Sequence, residues 1–386
     1  MTYLSNNSLL QNRYFSLALL SPTNGLWTWG QNTSGALGSS NTTNRSSPVQ
    51  VGLLSNWTQV SASNSTSASN YDSVLALQSN GTLWAWGNNS FGQLGTSNTN
   101  TSLLSPVQVG TNLWLQLSAG LCSMAIKNDG TMWGWGANSY GQVGANTGSI
   151  CVISPTQVGS PNAIWTNVST SSYHTLAIQT NGTLWVWGNN ASGELGLNTS
   201  FAALPFYRSP IQLGTLSTWT SVSAYNNDSM AIQSPGTLWT WGANNYGQLG
   251  LSDLTSRSSP TQVGRLSTWS RVACGYRFAA AIQNNGTLWS WGSNSYGQLG
   301  VGSAGSNIVS PVQIGALSVW SQVACGQVYM VALQNNGTLW SWGQNVLGQL
   351  GTSNTTNYSS PVQIGTLNNW NFVTCGGTFV ASLQKP

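Results

Sequence analysis

The sequence predicts an all-β ring, a seven-bladed β-propeller of four-stranded antiparallel blades, and three observations predict it. A Trp-x-Trp-Gly signal recurs at Trp27, Trp84, Trp133, Trp185, Trp239, Trp289 and Trp340, at intervals of roughly 50 residues. Every interval reads as strand and turn, without an amphipathic helix. All 21 tryptophans fall into the repeat.

The repeat beginning at Trp269 shows the elements in order. Its strands are "TWSRVAC", "AAAIQ", "GTLWSW" and, at 310–315, "SPVQIG". Asn-Asn-Gly between the second and third supplies the positive φ angles of a tight hairpin. The Gly-x-Asn-x-x-Gly-Gln-Leu-Gly loop before the fourth places glycine at sharp bends. Closing such units radially leaves only short, protected sheet edges.

Each repeat adds one tryptophan at the start of its first strand: Trp57, Trp114, Trp165, Trp219, Trp269, Trp320 and Trp370. In a strand, residues i and i+2 share a face, so each Trp-x-Trp pair offers one broad aromatic surface to the adjacent blade. The tryptophans therefore read as packing, not as a ligand platform.

The termini share a blade. "YFSLAL" at 14–19 matches the second strand "RFAAAI" at 277–282, and the chain ends in a first and a second strand. A propeller domain over 14–386, closed by strands from both termini, follows an N-terminal arm at 1–13. One second strand, at 15–20 or at 379–384, is surplus. Phe15, Leu17 and Leu19 are candidates for an arm that adds a strand to a neighbouring copy.

Charged residues make up 4% of the chain, against roughly a quarter in an ordinary domain. No apolar run approaches the roughly 18 residues of a membrane span. The net charge of +4 is spread over 386 residues without a basic stripe, which argues against nucleic acid. His174 occupies a repeat position that elsewhere holds Asp228, Phe278 and Tyr329. No carboxylate pair, His-Glu-x-x-His or Walker loop occurs, and "GVGSAG" at 300–305 opens no helix. A protein that is not an enzyme, with no cofactor and no metal, is the expectation. Cys274, Cys325 and Cys375 share a slot that Ala62, Ala119 and Ala224 fill elsewhere, so they read as small packing residues. Cys122 and Cys151 lie off the pattern, and their pairing stays open. Asn80, Asn181, Asn285 and Asn336 lie in Asn-x-Thr sequons, and the N-terminus shows no signal peptide.

"WGSNSYGQLG", with "HTLAIQTNGTLWVWG" at 174–188, resembles the repeat of the regulator of chromosome condensation family, over nearly the whole chain. The resemblance implies a seven-bladed propeller. It leaves function open, because propellers of this family serve as guanine-nucleotide exchange factors, secreted inhibitors and binding platforms.

The first expectation for function is a noncatalytic structural or adhesive propeller, exposed on a virion, cell surface or extracellular assembly. It would bind another protein or a copy of itself. A secreted binding propeller, a lectin or a protein inhibitor, is the alternative and keeps carbohydrate open as a ligand. An exchange factor ranks last, since scarce charge suits a charged GTPase surface poorly. Loops joining first to second and third to fourth strands emerge on one face, and the irregular ones all lie there. The loop at 62–73, with Tyr71, is long; 145–154 carries Ile150 and Ile153; 197–209 carries Phe201, Leu204, Phe206, Tyr207 and Arg208. Departures from a repeat are where a partner is read, and aromatics with arginine are the usual anchors.

Overall fold

The computed structural model describes residues 24–64, 71–99, 102–199 and 206–386. They form 27 strands and no helix. The 17-residue strand Leu103–Ala119 closes one blade and opens the next, so the strands fill seven blades of four. We number the blades I to VII by their inner strands: Trp57–Ala62, the second half of Leu103–Ala119, Trp165–Thr170, Trp219–Tyr225, Trp269–Gly275, Trp320–Cys325 and Trp370–Cys375.

Blade VII closes the ring. Its sheet runs Arg45–Gln50, Gly25–Gly30, Phe379–Gln384, Trp370–Cys375, pairing Leu26 with Leu383 and Trp29 with Val380. The ring therefore takes its second strand from residues 379–384. The segment at 15–20, with Phe15, Leu17 and Leu19, and the proposed arm at 1–13 lie outside the described residues.

The tryptophans occupy three distinct environments, and all three are structural. The second of each pair is fully buried between blades. Its indole N–H donates to a backbone carbonyl in the third-to-fourth loop of the preceding blade: Trp86 to Ala36 at 2.8 Å, Trp187 to Gln142 at 2.9 Å, Trp291 to Gln248 at 2.8 Å. The first of each pair is half-buried, and in blades I to VI it donates to the threonine two residues earlier, as Trp289 does to Thr287 at 3.0 Å; in blade VII that position is Gly25. That threonine is itself held by the turn Asn, Thr287 Oγ1 donating to Asn285 Oδ1 at 2.8 Å. The inner-strand tryptophan meets the pair edge-on, Trp269 lying 6.1 Å from Trp289 and 6.4 Å from Trp291. Offset and edge contacts suit the ring quadrupoles. Against this aromatic face the preceding blade sets aliphatic residues; Leu26 and Leu383 of blade VII face Trp57 and Trp86 of blade I.

Two rows of hydrogen bonds fasten the blades. At the rim, a residue with positive φ in each third-to-fourth loop donates its N–H to the outer strand of the next blade: Ser97 to Ile153 at 3.0 Å, Asn146 to Arg208 at 3.0 Å, Ser252 to Val309 at 2.9 Å. At the axis, Ser61, Ser118, Ser169 and Ser223 accept the amides of Ala119, Thr170, Ala224 and Cys274.

Candidate functional site

The face carrying the first-to-second and third-to-fourth loops is rich in aromatic side chains and arginine, and they cluster at blade seams. At the seam of blades II and III, the Tyr140 and Tyr173 rings meet edge-on at 5.7 Å. Beside them the outer strand of blade III brings in Phe206 and Arg208. The Arg208 guanidinium lies 4.9 Å from the Phe206 ring centre and donates to the Thr147 carbonyl of blade II at 3.1 Å. Three residues past Thr147, Ile150 is 69% exposed. The structure thus joins Phe206 and Arg208 and ties them through Thr147 to the loop that carries Ile150.

The other predicted residues are placed differently. Tyr207 packs against the core between blades III and IV. Ile153 shares the structural slot of Arg208 one blade earlier, and its Cα would lie 2.8 Å from a Cβ on Gly92. Its irregularity serves the seam of blades I and II. Tyr71 pairs with Phe91 on blade I, ring centres 5.0 Å apart. Phe201 and Leu204 lie outside the described residues.

The long loop at 62–73 has a structural task at its root. Asn64 reaches across the axis and donates to the carbonyls of Thr170 in blade III and Ala224 in blade IV, at 3.3 and 3.2 Å. It helps line an axial cavity of about 160 Å³, together with Tyr225 and the thiols of Cys274, Cys325 and Cys375. All five cysteines are free, so Cys122 and Cys151 do not pair. Among the described residues no group of three or more His, Cys, Asp or Glu is placed to hold a metal ion.

The ionisable groups behind this face are buried. His174 is hydrogen-bonded through Nδ1 to Ser171 Oγ at 3.0 Å and through Nε2 to Ser229 Oγ at 2.8 Å, and burial pulls its imidazole down to about 3. Glu194 takes the Gln slot of the repeat, accepting from Ser192 N and Asn189 Nδ2, each at 2.6 Å; burial pushes its carboxyl up to about 7. Burial also raises Asp72 to about 7, against a hydrogen bond from Thr378, and raises Asp228 strongly, with Glu194 adding to the shift. These groups lack water access, so they are structural.

Two features escaped the sequence reading because they obey the repeat. The tyrosines Tyr140, Tyr246 and Tyr296 of the third-to-fourth loops are one; Tyr140 and Tyr296 are 40% and 41% exposed. The other is a ring of apolar residues on the opposite face, in the links from outer to inner strands. Leu54, Leu113, Ile164, Leu216, Leu266, Leu317 and Leu367 are each 40 to 52% exposed, and Leu53 is 95% exposed. At the seam of blades II and III, Ile164 and Leu115 line a shallow cleft of about 210 Å³. No helix of the described residues is long and apolar enough to cross a membrane.

Seven four-stranded blades sealed by tryptophan and closed through both ends of the chain define a repeat propeller. The chain belongs to the regulator of chromosome condensation family: the RCC1-like domain matches residues 9–268, and the regulator of chromosome condensation repeat matches 285–333 and 336–383. Human "Probable E3 ubiquitin-protein ligase HERC3" is 31% identical over 196 residues, 49% of this chain and 18% of that protein. The Arabidopsis thaliana "Ultraviolet-B receptor UVR8" is 28% identical over 330 residues, 84% of this chain and 62% of that protein. The chain thus spans about a fifth of the ligase and under two thirds of the receptor. Prp20p from Saccharomyces cerevisiae, a protein described with binding properties to Gsp1p and histones, superimposes with a TM-score of 0.81 at 19% identity, covering 97% of this chain and 93% of that one. At that identity the likeness shows the fold alone.

These relatives overturn three expectations. Ligases and a light receptor share the module, so a structural or adhesive role on a virion or extracellular assembly does not stand, nor does a location outside the cell. The expectation of a protein apart from enzymes falls too, because relatives carrying this module are named as ligases. Scarce charge misled the reading for a physical reason. The repeat fills its turns with Asn, Ser and Thr because their side chains hydrogen-bond the turns and one another, as Asn285 and Thr287 do. That need is met in any compartment. Binding to proteins is described for Prp20p; carbohydrate and self-assembly have no counterpart in these relatives.

Proposed function

We propose that the chain is a protein-recognition propeller that reads its partner on the loop face at the seam of blades II and III. The carrying observation is that Phe206 and Arg208, the Tyr140–Tyr173 pair and exposed Ile150 all lie at that seam, on a frame locked by the rim hydrogen bonds. A rigid frame with exposed aromatic and aliphatic anchors loses little entropy on binding. Protein binding recorded for the Prp20p neighbour supports the class of partner. Tyr71 and Ile153 lie on the same face outside this cluster, and Phe201 and Leu204 belong to the loop that leads into Phe206.

The test pairs two variants with unchanged melting temperatures: Ile150→Ser with Phe206→Ser on the loop face, and Leu266→Ser with Leu317→Ser opposite. Crosslinking and mass spectrometry in the source cell would score the bound proteins. Loss with the loop-face pair alone is expected. Full retention there, with loss from the leucine pair, overturns the proposal.

A further inference from the structure

On the same face, at the seam of blades IV and V, Arg277 stands between two rings. Its guanidinium carbon is 4.4 Å from the Tyr246 ring centre and 4.4 Å from that of Tyr276. Tyr246 comes from the third-to-fourth loop of blade IV and Tyr276 from the turn of blade V, so the seam itself builds the sandwich. The backbone is unusual too. Arg277 has φ of 68°, whereas Asp72, Leu121, Tyr173, Asn227, Val328 and Thr378, its equivalents in the other blades, do not enter that region. A side chain with a Cβ adopts this conformation at a cost, and such outliers gather where a group must be aimed.

The aimed group has its donors unused. Among the described residues Arg257 and Asp253 form the one ion pair, and no hydrogen bond is made by the Arg277 side chain. Its nitrogens are not among the buried unpaired atoms, so they face solvent. Stacked rings fix the guanidinium plane and leave its N–H edge outward, the geometry that grips a carboxylate through two parallel hydrogen bonds.

A second copy of this chain offers little carboxylate to that site. Of its five acidic residues, Asp72, Glu194 and Asp228 are buried, Asp253 is held by Arg257, and Asp129 is tied to Thr131 in a turn on the opposite face. Nine Lys and Arg are set against these, and Arg45, Arg208 and Arg257 share the loop face with Arg277. The charge complement is an acidic segment of a different protein. We propose that Arg277, with Tyr246 and Tyr276, is a carboxylate-binding site for an acidic peptide segment of a protein partner. The site is separate from the cluster at blades II and III and does not require it.

The probe is a fluorescein-labelled deca-glutamate peptide, with deca-glutamine as control, titrated by anisotropy at low and physiological salt. Binding of the glutamate peptide alone is expected, weakening as salt rises. Arg277→Gln should weaken it by roughly tenfold or more, the loss of a bidentate charge-assisted contact, with the melting temperature unchanged. Arg277→Lys should recover part of the affinity and no more, since it keeps the charge and loses the fork. The Ile150→Ser, Phe206→Ser pair should bind the peptide as the native protein does. If Arg277→Gln lowers the melting temperature, Tyr246→Leu, which removes one stacking ring, must show a several-fold loss. No binding of deca-glutamate, equal binding of deca-glutamine, or native affinity in Arg277→Gln overturns the site. Loss in the Ile150, Phe206 pair with retention in Arg277→Gln assigns the acidic segment to the other seam and overturns it equally.

Discussion

Blades I to IV and blades V to VII follow one repeat yet close their interiors by two chemistries. The slot that opens the second strand holds Ser73, Cys122, His174 and Asp228 in the first group, and Phe278, Tyr329 and Phe379 in the second. In blade III, Ser171 answers His174 with a hydrogen bond. In blades V to VII the matching residue is Gly275, Gly326 or Gly376, where an added Cβ would lie 2.3, 2.0 or 2.1 Å from the aromatic ring. The axis changes with it. Ser118 and Ser169 accept amides of the next blade, whereas in blades V and VI alanine takes that place and the thiols of Cys325 and Cys375 reach the carbonyls of Ala273 and Ala324, each at 3.5 Å. The difference teaches that the seam fixes volume and leaves polarity free. The buried carboxyls and the imidazole then collect in the polar arc, and with them the sensitivity to pH between about 3 and 8.

If the aromatic seal is common to both arcs, Trp187→Ala in blade III and Trp291→Ala in blade V should be equally harmful. Each is fully buried and donates across a seam. A loss of about 3–5 kcal/mol is expected for both by chemical denaturation, with less for the half-buried Trp289→Ala. A difference above about 2 kcal/mol between the two arcs would break the idea of a shared frame.

The next effect belongs to the polar arc. With carboxyls raised to about 7, the folded chain keeps protons on Asp72 and Glu194 that the unfolded chain has released above about pH 4. Stability therefore falls as pH rises from about 4 through 7 and levels off above. His174, lowered from 6.5 to about 3, acts in the opposite sense, adding stability as pH rises between those values. Between pH 6.5 and 8 the carboxyls act alone, so the protein should be more stable at pH 6.5 than at pH 8. Glu194→Gln restores the repeat residue, whose amide in blade I donates to Asn88 at 2.9 Å. It should stabilise the protein at pH 8 by about 3 kcal/mol, from 1.36 kcal/mol per unit, and flatten the profile. A native protein equally stable at both pH values would contradict the burial of these acids. Asp228, which feels the charge of Glu194, should shift with it.

The fold was legible in the sequence because a period repeated seven times averages out local ambiguity, and because Trp-x-Trp on one face of a strand has little use except packing. Function was less legible for two reasons. Exposure is a property of the connection and not of the repeat, so nothing in the repeat marks Leu216, Leu266 and Leu317 as the solvent-facing leucines they are. Seams join residues far apart in sequence, as Tyr246 and Arg277 or Thr147 and Arg208 are joined. No local motif reports them. Ile153 and Arg208 looked like parallel irregularities; in three dimensions they are one slot, used once for a seam and once for a seam with an exposed cluster beside it.

The smallest expected effect is also the sharpest on the comparison itself. If the seam conserves volume, the aromatic arrangement should transplant into the polar arc, but only as a pair. His174→Phe alone sets a ring beneath Ser171 where blades V to VII have glycine, and it leaves the Ser171 and Ser229 hydroxyls without the imidazole. Overpacking and lost partners should together cost about 2–3 kcal/mol. Adding Ser171→Gly makes room for the ring, and the double variant should recover at least about 1 kcal/mol relative to the sum of the singles, as contacting residues do. Urea denaturation of the four proteins in the cycle measures it. Simple additivity would mean that the polar and aromatic arcs are not alternative solutions of one slot, and that the glycines of blades V to VII answer to something other than the rings above them.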